Sequence, residues 1–134
     1  MMDQILTIRL YVAGIGIVVG AFLGSFDDLL YALVMFVATD YVMGVLRAIV
    51  EKKLSSASDF KGICKKVCIF TLVGVANVLD THFIGSSCLL RSDVIFFYIS
   101  NERISIIENA VRMGLPVPQK LQDMMHSIKN QEGT

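Results

Sequence analysis

The sequence is short of charge and of the side chains that most often carry chemistry. Charged residues fill 18% of the 134 positions, and 12 basic residues balance 12 acidic ones, so net charge gives no reason to expect a nucleic acid partner. The two histidines lie far apart, and no zinc-protease, serine-hydrolase, nucleotide-loop or CxxC motif is found. We therefore predict no enzymatic activity, no catalytic residue and no cofactor.

Cysteine is also scarce, with three residues, Cys64, Cys68 and Cys88. An odd number without regular spacing is not a disulfide framework. Cys64 and Cys68 are four residues apart, yet they lack the further Cys or His that a zinc site needs. We interpret them as inert apolar packing residues and predict no metal site.

Apolar residues are abundant instead. They make up 54% of the chain before glycine is counted, and the mean hydropathy is +0.65. Soluble domains average about 45–50% with glycine included. The N-terminus shows no clear signal-peptide pattern, because Arg9 alone would form its basic part, so the first apolar stretch is expected to be retained. This excess of apolar residues indicates a lipid environment.

Four apolar segments predict an all-α membrane protein. The first uncharged run, residues 10–26, contains 17 residues. As a helix it would reach roughly 25 Å, close to the ~30 Å of a hydrocarbon core. We expect one domain, residues 1–134, with about four transmembrane helices at residues 8–26, 29–50, 63–84 and 91–113.

The end of the chain has a different pattern. Gly114, Pro116 and Pro118 end the fourth segment, and residues 117–134 form a tail. Residues 119–130 of this tail are predicted to form a short amphipathic surface helix. Its apolar side would consist of Leu121, Met124, Met125 and Ile128.

Basic residues set the predicted orientation, because cytoplasmic segments carry an excess of Lys and Arg. The loop between the second and third segments is basic, as is the C-terminal region, whereas the turn after the first segment is acidic. Placing both basic regions in the cytoplasm requires four crossings, with both chain ends inside. The predicted cytoplasmic basic loop contains Lys52, Lys53, Lys61, Lys65 and Lys66.

The first segment carries a glycine at every fourth position, Gly16, Gly20 and Gly24. On a helix these residues lie near one face and allow a second backbone to approach closely. The face could mediate self-association. It could equally pack against the second segment of the same chain, at Gly44 and Ala48.

The second segment has an acidic residue, Asp40, near its middle. A central Asp costs about 3 kcal/mol on insertion scales, and the Leu, Ile, Val and Phe residues of the segment return roughly 5 kcal/mol, so it can still insert. An intramembrane carboxylate suggests function. A structural hydrogen bond to a neighbouring helix, for instance to Asn77, is the alternative, with Asp40 and Gly44 at a helix contact.

The fourth segment is the most polar of the four. At about 100° per residue, its polar residues fall in a narrow stripe. The stripe and its border consist of Tyr98, Asn101, Glu102, Ser105, Glu108, Asn109 and Arg112. Its apolar residues offer about 4 kcal/mol, less than two central charges cost, so partners or water must cover the stripe. It would either line a pore in an oligomer or form an intramolecular polar seam, with Glu108 and Arg112 paired.

Several motifs, in order along the chain, resemble one family. They are Asp-Tyr-Val-Met-Gly at residues 40–44, Lys-Leu-Ser-Ser at 53–56, Phe-Lys-Gly-Ile-Cys-Lys-Lys at 60–66, a polar helix at 97–109 and Gly-Leu-Pro-Val-Pro at 114–118. Together they are similar to the toxin secretion/phage lysis holins of Gram-positive bacteria and their phages. Arg103 and Asp59 depart from the family pattern, and the first segment matches it weakly.

The resemblance implies a protein of the bacterial cytoplasmic membrane whose partners are the lipid bilayer and copies of itself. Holins assemble and open lesions through which an endolysin, or a toxin in some relatives, leaves the cytoplasm. No cofactor is implied. Two other classes stay open at this point. One is a small ion channel or transporter with Asp40 and Glu108 as conducting groups, and the other is a non-pore adaptor or antiholin that binds through residues 119–130.

Overall fold

The computed structural model describes residues 1–85 and 89–124, and the regular structure in this part of the chain is entirely helical. Four long helices follow one another: α1, Met2–Leu23; α2, Asp28–Val50; α3, Ser56–Leu79; and α4, Leu89–Arg112. A π-helical turn, Asp80–Ile84, extends α3. Residues 119–124 are also helical, and the rest of the predicted tail helix lies outside the described residues. The predicted all-α class is confirmed.

Local signals explain where the helices begin and end. Gly24 adopts a left-handed conformation with φ of 96° and donates its N–H to the Gly20 carbonyl, which ends α1 three residues earlier than predicted. The Asp27 carboxylate accepts the Leu30 N–H at 2.9 Å and caps α2. Ser55 caps α3 in the same way through the Ser58 N–H.

Among the described residues, three helical stretches are long and apolar enough to cross a membrane, namely Met2–Leu23, Asp28–Val50 and Ser56–Ile84. They bear out the first three predicted segments. Helix α4 is as long as its neighbours but more polar, as the stripe predicts, and is not one of these three. Four crossings, and their orientation, therefore stay predictions.

The third helix begins earlier than predicted. It starts at Ser56 rather than residue 63, so the connection to α2 spans only residues 51–55. The predicted basic loop is therefore wrong in its extent, because Lys61, Lys65 and Lys66 lie on the first turns of α3. The serine cap supplies enough local order to extend the helix beyond its apolar part.

The core lies between α2, α3 and α4. Helix α4 packs along α2 and, over a shorter length, along α3. Since lipid is as apolar as leucine, burial alone does not hold such helices together, and close packing and polar pairs do. The buried apolar side chains of this core are Leu23, Leu30, Leu33, Val37, Ile69, Val73 and Ile95.

Helix α1 stands apart from this core. Residues 1–19 are all exposed, and α1 contacts α3 through its C-terminal end. There the Phe22 ring lies so close to Gly74 that a side chain on Gly74 would overlap it. The Asn77 amide donates a 3.0 Å hydrogen bond to the Phe22 carbonyl. From Leu10 onward the exposed length of α1 carries no charged side chain and is almost entirely apolar, as expected for a helix in lipid.

Candidate functional site

The polar seam between α2, α3 and α4 centres on one lysine. Lys66 of α3 donates hydrogen bonds from Nζ to Asp40 of α2 and to both carboxylate oxygens of Glu102 on α4, the latter at 2.7 and 2.9 Å. Asp40 is only 6% exposed and Glu102 only 5%. Three helices thus contribute one charge each to a buried ionic trio.

Asn109 extends the trio toward one end of the bundle. Its amide nitrogen donates to Asp40 Oδ1 at 3.2 Å, and its amide oxygen accepts from Arg47 Nε at 2.8 Å. Gly44 lies beside this contact, and a Cβ there would be in ordinary van der Waals contact with the Asn109 amide nitrogen, at 3.8 Å. Beyond Asn109, Glu51 accepts from Arg47 at 2.9 Å and from Arg112 at 3.2 Å.

The electrostatics of the trio favour a tightly held arrangement. Two carboxylates and one ammonium carry a formal net charge of −1, and moving each ion out of water costs several kcal/mol. Good geometry and further donors, here the Asn109 amide, offset that cost. No buried side-chain N or O atom of the described residues lacks a hydrogen-bond partner. The polar seam can therefore hold α2, α3 and α4 in register, and breaking only some of its contacts would leave buried charges without partners.

The structure brings together some of the residues of the predicted stripe. Asn109 and Arg112 belong to the seam, and Asn101, Ser105 and Glu108 are half-buried. Glu108 also takes part in an interaction within the described part of the chain. The suggested partner of Asp40, Asn77, is wrong, because Asn77 bonds α1 and Asp40 bonds Lys66 and Asn109.

Two of the three glycines on the predicted face of α1 have no close neighbour among the described residues. A Cβ on Gly16 or Gly20 would meet nothing within 4 Å, whereas Gly24 forms the helix end beside Asn77 and Arg91. The alternative in which this face packs against Gly44 and Ala48 is wrong, because α1 does not contact α2. The glycine face thus has no partner within the described chain.

The cysteine interpretation also needs correction. Cys64 and Cys68 are free thiols and lie exposed on α3 instead of packing in the core. They fall on a helix side that the other three helices do not cover, so their apolar character suits lipid. Cys88 lies outside the described residues.

A second polar cluster, at the opposite end of the bundle, was missed by the sequence reasoning. Arg91 of α4 is 2% exposed and forms a bidentate pair with Asp27, at 2.9 and 3.2 Å. It also donates to the carbonyls of Leu23 and Ser25 at 2.6 and 3.0 Å. The Asp80 carboxylate accepts the N–H groups of Leu90 and Arg91 and so satisfies the start of α4.

Arg91 also changes the chemistry of its partner. Its hydrogen bonds hold the pKa of the Asp27 carboxyl below the ordinary value of 3.8. This cluster joins the turn between α1 and α2 to the beginning of α4. The sequence signal was that Arg91 is the one Lys or Arg between Lys66 and Arg103, but nothing in the spacing tied Arg91 to Asp27, 64 positions away.

Comparison with known proteins agrees with the resemblance seen in the motifs. The sequence matches the bacteriophage holin family over residues 17–130. It is 42% identical over 118 residues to the uncharacterized protein Lin0175 of Listeria innocua, covering 88% of this chain and 84% of that one. It is 35% identical over 109 residues to an uncharacterized 14.9 kDa protein in the nagH 3′ region of Clostridium perfringens, covering 81% and 83% of the two chains.

A third relative, the uncharacterized protein BH0965 of Halalkalibacterium halodurans, is 39% identical over 113 residues, covering 81% of this chain and 84% of that one. No solved structure matches. The family match takes in α2, α3, α4 and about the last third of α1. Because the match extends over most of the sequence and the relatives are covered over most of their length, this chain belongs to the bacteriophage holin family.

Proposed function

We propose that this chain is a holin of the bacterial cytoplasmic membrane. It crosses the membrane four times with both ends in the cytoplasm, self-associates, and opens lesions through which an endolysin or a toxin leaves the cell. It acts without covalent chemistry. Family membership and three apolar helices support the membrane assignment, and the seam supports the mechanism.

The observation that carries this proposal is the pairing of the polar side of α4. As an isolated helix in lipid, α4 would expose charges whose insertion cost exceeds the gain from its apolar residues. In the single chain, Glu102 and Asn109 instead contact Lys66 and Asp40. One copy can therefore sit in a bilayer without opening it.

An assembly offers the same groups a different environment. If α4 helices from many copies surround water, the polar stripe can be solvated there and its intramolecular partners released. The balance between the two arrangements depends on local concentration, because association follows mass action. In this mechanism Asn101, Ser105, Glu108, Asn109 and Arg112 face the water of the lesion.

The open face of α1 supports self-association. Gly16 and Gly20 have empty space in front of them, so a helix from a second copy can approach the backbone closely. We assign close contact between copies to α1 and the wetted wall to α4.

The test replaces stripe residues by leucine. Asn101→Leu and Glu108→Leu should each abolish lysis when the chain is expressed with an endolysin, because leucine cannot be solvated in a water-filled lesion. Both variants should still appear in the membrane fraction in normal amounts. Ser100→Leu, on the same helix but outside the stripe, is the matched control and should lyse at the normal time. Culture turbidity and immunoblots of membranes give the readouts.

Normal lysis timing in both variants would remove α4 from the mechanism. An ion channel would instead give ion-selective currents without release of a cytoplasmic reporter enzyme. An adaptor or antiholin would leave growth unaffected when expressed alone.

A further inference from the structure

A polar cavity opens between α2 and α3 beside the seam. Its volume is about 480 Å³, and α4 forms its third wall. It extends from Asp40 and Lys66 at the floor to Lys53 and the first turns of α3 at the mouth. Small residues, Gly44 and Gly62 among them, keep it open. The mechanism proposed above involves some of the residues that line this cavity, but it assigns no ligand to the space itself.

The charges that line the cavity are paired at the floor and unpaired at the mouth. At the floor, Lys66 is bound by Asp40 and Glu102, and nearby Arg47 is bound by Glu51. At the mouth, the exposed Lys53 and Lys65 form no ion pair with a carboxylate of the described residues.

One acidic residue, Asp59, also lines the mouth, so two ammonium groups face a single carboxylate there. Ser58 and Asp59 belong to the first turn of α3, where the helix dipole adds positive potential. The mouth is therefore a positively charged recess that is wide enough for a small anion and is backed by a helix N-terminus.

We propose that this cavity binds the phosphate headgroup of an anionic phospholipid. Its mouth lies at the ends of two apolar helices, where the headgroup layer meets a spanning protein. Leu54 and Phe60 directly follow the mouth residues Lys53 and Asp59 in the sequence. They are 55% and 68% exposed and offer apolar surface for acyl chains. Basic recesses between membrane helices recognise such headgroups, at about 1 kcal/mol per Lys or Arg near the surface. The inference is independent of whether the chain forms lesions.

The chain supplies a matched pair of variants to test it. Lys53→Gln/Lys65→Gln removes the two ammonium groups at the mouth. Lys52→Gln/Lys61→Gln removes two charges from the same connection and the same helix, but neither lysine lines the cavity. All four lysines are exposed, so both variants should fold, and their melting temperatures without lipid serve as the check.

The experiment measures the melting temperature of the purified full chain in a neutral detergent against added lipid. Phosphatidylglycerol should raise it for the unaltered chain and for Lys52→Gln/Lys61→Gln, and phosphatidylcholine should not. For Lys53→Gln/Lys65→Gln, the phosphatidylglycerol concentration needed should rise at least about tenfold. Equal responses of the two variants, or no response of the unaltered chain, would overturn the proposal. An equal response to inorganic phosphate at the same concentration would overturn the lipid assignment and leave a site for a soluble anion.

Discussion

Lys66 shows how one side chain can organise a membrane bundle. It is the cation of the trio, and its two carboxylate partners come from helices on either side of it. Removing one member of such a group leaves uncompensated charge in an apolar region, whereas removing the whole group leaves only a packing defect. The lysine is therefore more important to the fold than its place beside the basic loop in the sequence indicates.

We expect Lys66→Met to destabilise the bundle by about 3–5 kcal/mol, because Asp40 and Glu102 would then be buried without a cation. Unfolding by denaturant in detergent micelles, followed by circular dichroism, measures the loss. Lys61→Met, an exposed lysine on the same helix, should change stability by less than about 0.5 kcal/mol.

The triple variant Asp40→Asn/Lys66→Met/Glu102→Gln tests the cause. It carries no charge at the trio and should recover much of the stability lost in Lys66→Met. If Lys66→Met were as stable as the unaltered chain, the trio would have no structural role.

Asp27 gives a second prediction at the scale of one residue. Its pKa is lowered in the folded chain by the Arg91 hydrogen bonds. A carboxyl with a lowered folded pKa stabilises the fold above its unfolded pKa, and that contribution disappears as the pH falls through the folded value. We therefore expect the melting temperature to fall below about pH 4, and the fall should be smaller in Asp27→Asn.

Asp27→Asn removes the charge but keeps the helix cap, because the asparagine side-chain oxygen can still accept the Leu30 N–H at the start of α2. Asp28→Asn, the adjacent residue without an Arg91 contact, is the control and should keep the full pH dependence. The Asp27 assignment fails if Asp27→Asn and Asp28→Asn have identical profiles.

At the scale of helices, the main feature is that α1 packs only near its C-terminal end, whereas α2, α3 and α4 pack against one another. Helix α1 is held at its C-terminal end by Phe22 and Leu23, and the rest is free. Its glycine face is therefore available to a neighbouring molecule. This arrangement separates the surface that we propose for contact between copies from the helices that carry the ionic trio.

We expect Gly20→Leu to lower the yield of crosslinked oligomers in membranes severalfold, because leucine would fill the space that a second backbone needs. Gly14→Leu is the control: Gly14 also has open space around it but lies about 120° away around the helix. Equal crosslinking in both variants would show that copies do not meet through this face.

Much of the helical structure follows from local sequence, and the contacts between helices do not. Gly24 is a recognisable residue for the end of a helix, and Asp27 and Ser55 are recognisable N-cap residues. The long apolar runs predicted three spans near the places where the helices are found. The start of α3 was missed because charge was taken as the mark of a loop, although a capped helix tolerates lysines in its first turns. The partners of Asp40 and Arg91 depend on tertiary packing, which spacing along one chain does not contain.

At the scale of the whole molecule, the two polar clusters define two ends. The Arg47, Glu51 and Arg112 contacts place the C-terminal ends of α2 and α4 together. The Arg91 contacts place the turn between α1 and α2 beside the start of α4. If α4 crosses the membrane, the basic connection and the C-terminal region lie on one side, and Arg91 is neutralised on the other.

We expect single cysteines at Lys53 and Leu115, in a background without the native cysteines, to be protected from a membrane-impermeant thiol reagent in intact cells. A cysteine at Phe26 should be labelled, because the predicted topology places the turn between α1 and α2 outside the cell. All three positions are exposed, so accessibility reports side and not burial. If only one of positions 53 and 115 were labelled before lysis, the two would lie on opposite sides of the membrane, and four crossings would be excluded.

The way in which α1 is attached also sets an order of events. Bringing the free length of α1 against another molecule breaks no ion pair of the described residues, since residues 1–19 are exposed and none of them belongs to such a pair. Turning α4 away from both α2 and α3 separates Asn109 from Asp40 and Glu102 from Lys66. In the proposed mechanism, copies can therefore gather without breaking an ion pair of the described residues, whereas the later rearrangement of α4 must break several polar contacts together, so we expect opening to follow gathering as a separate and abrupt step.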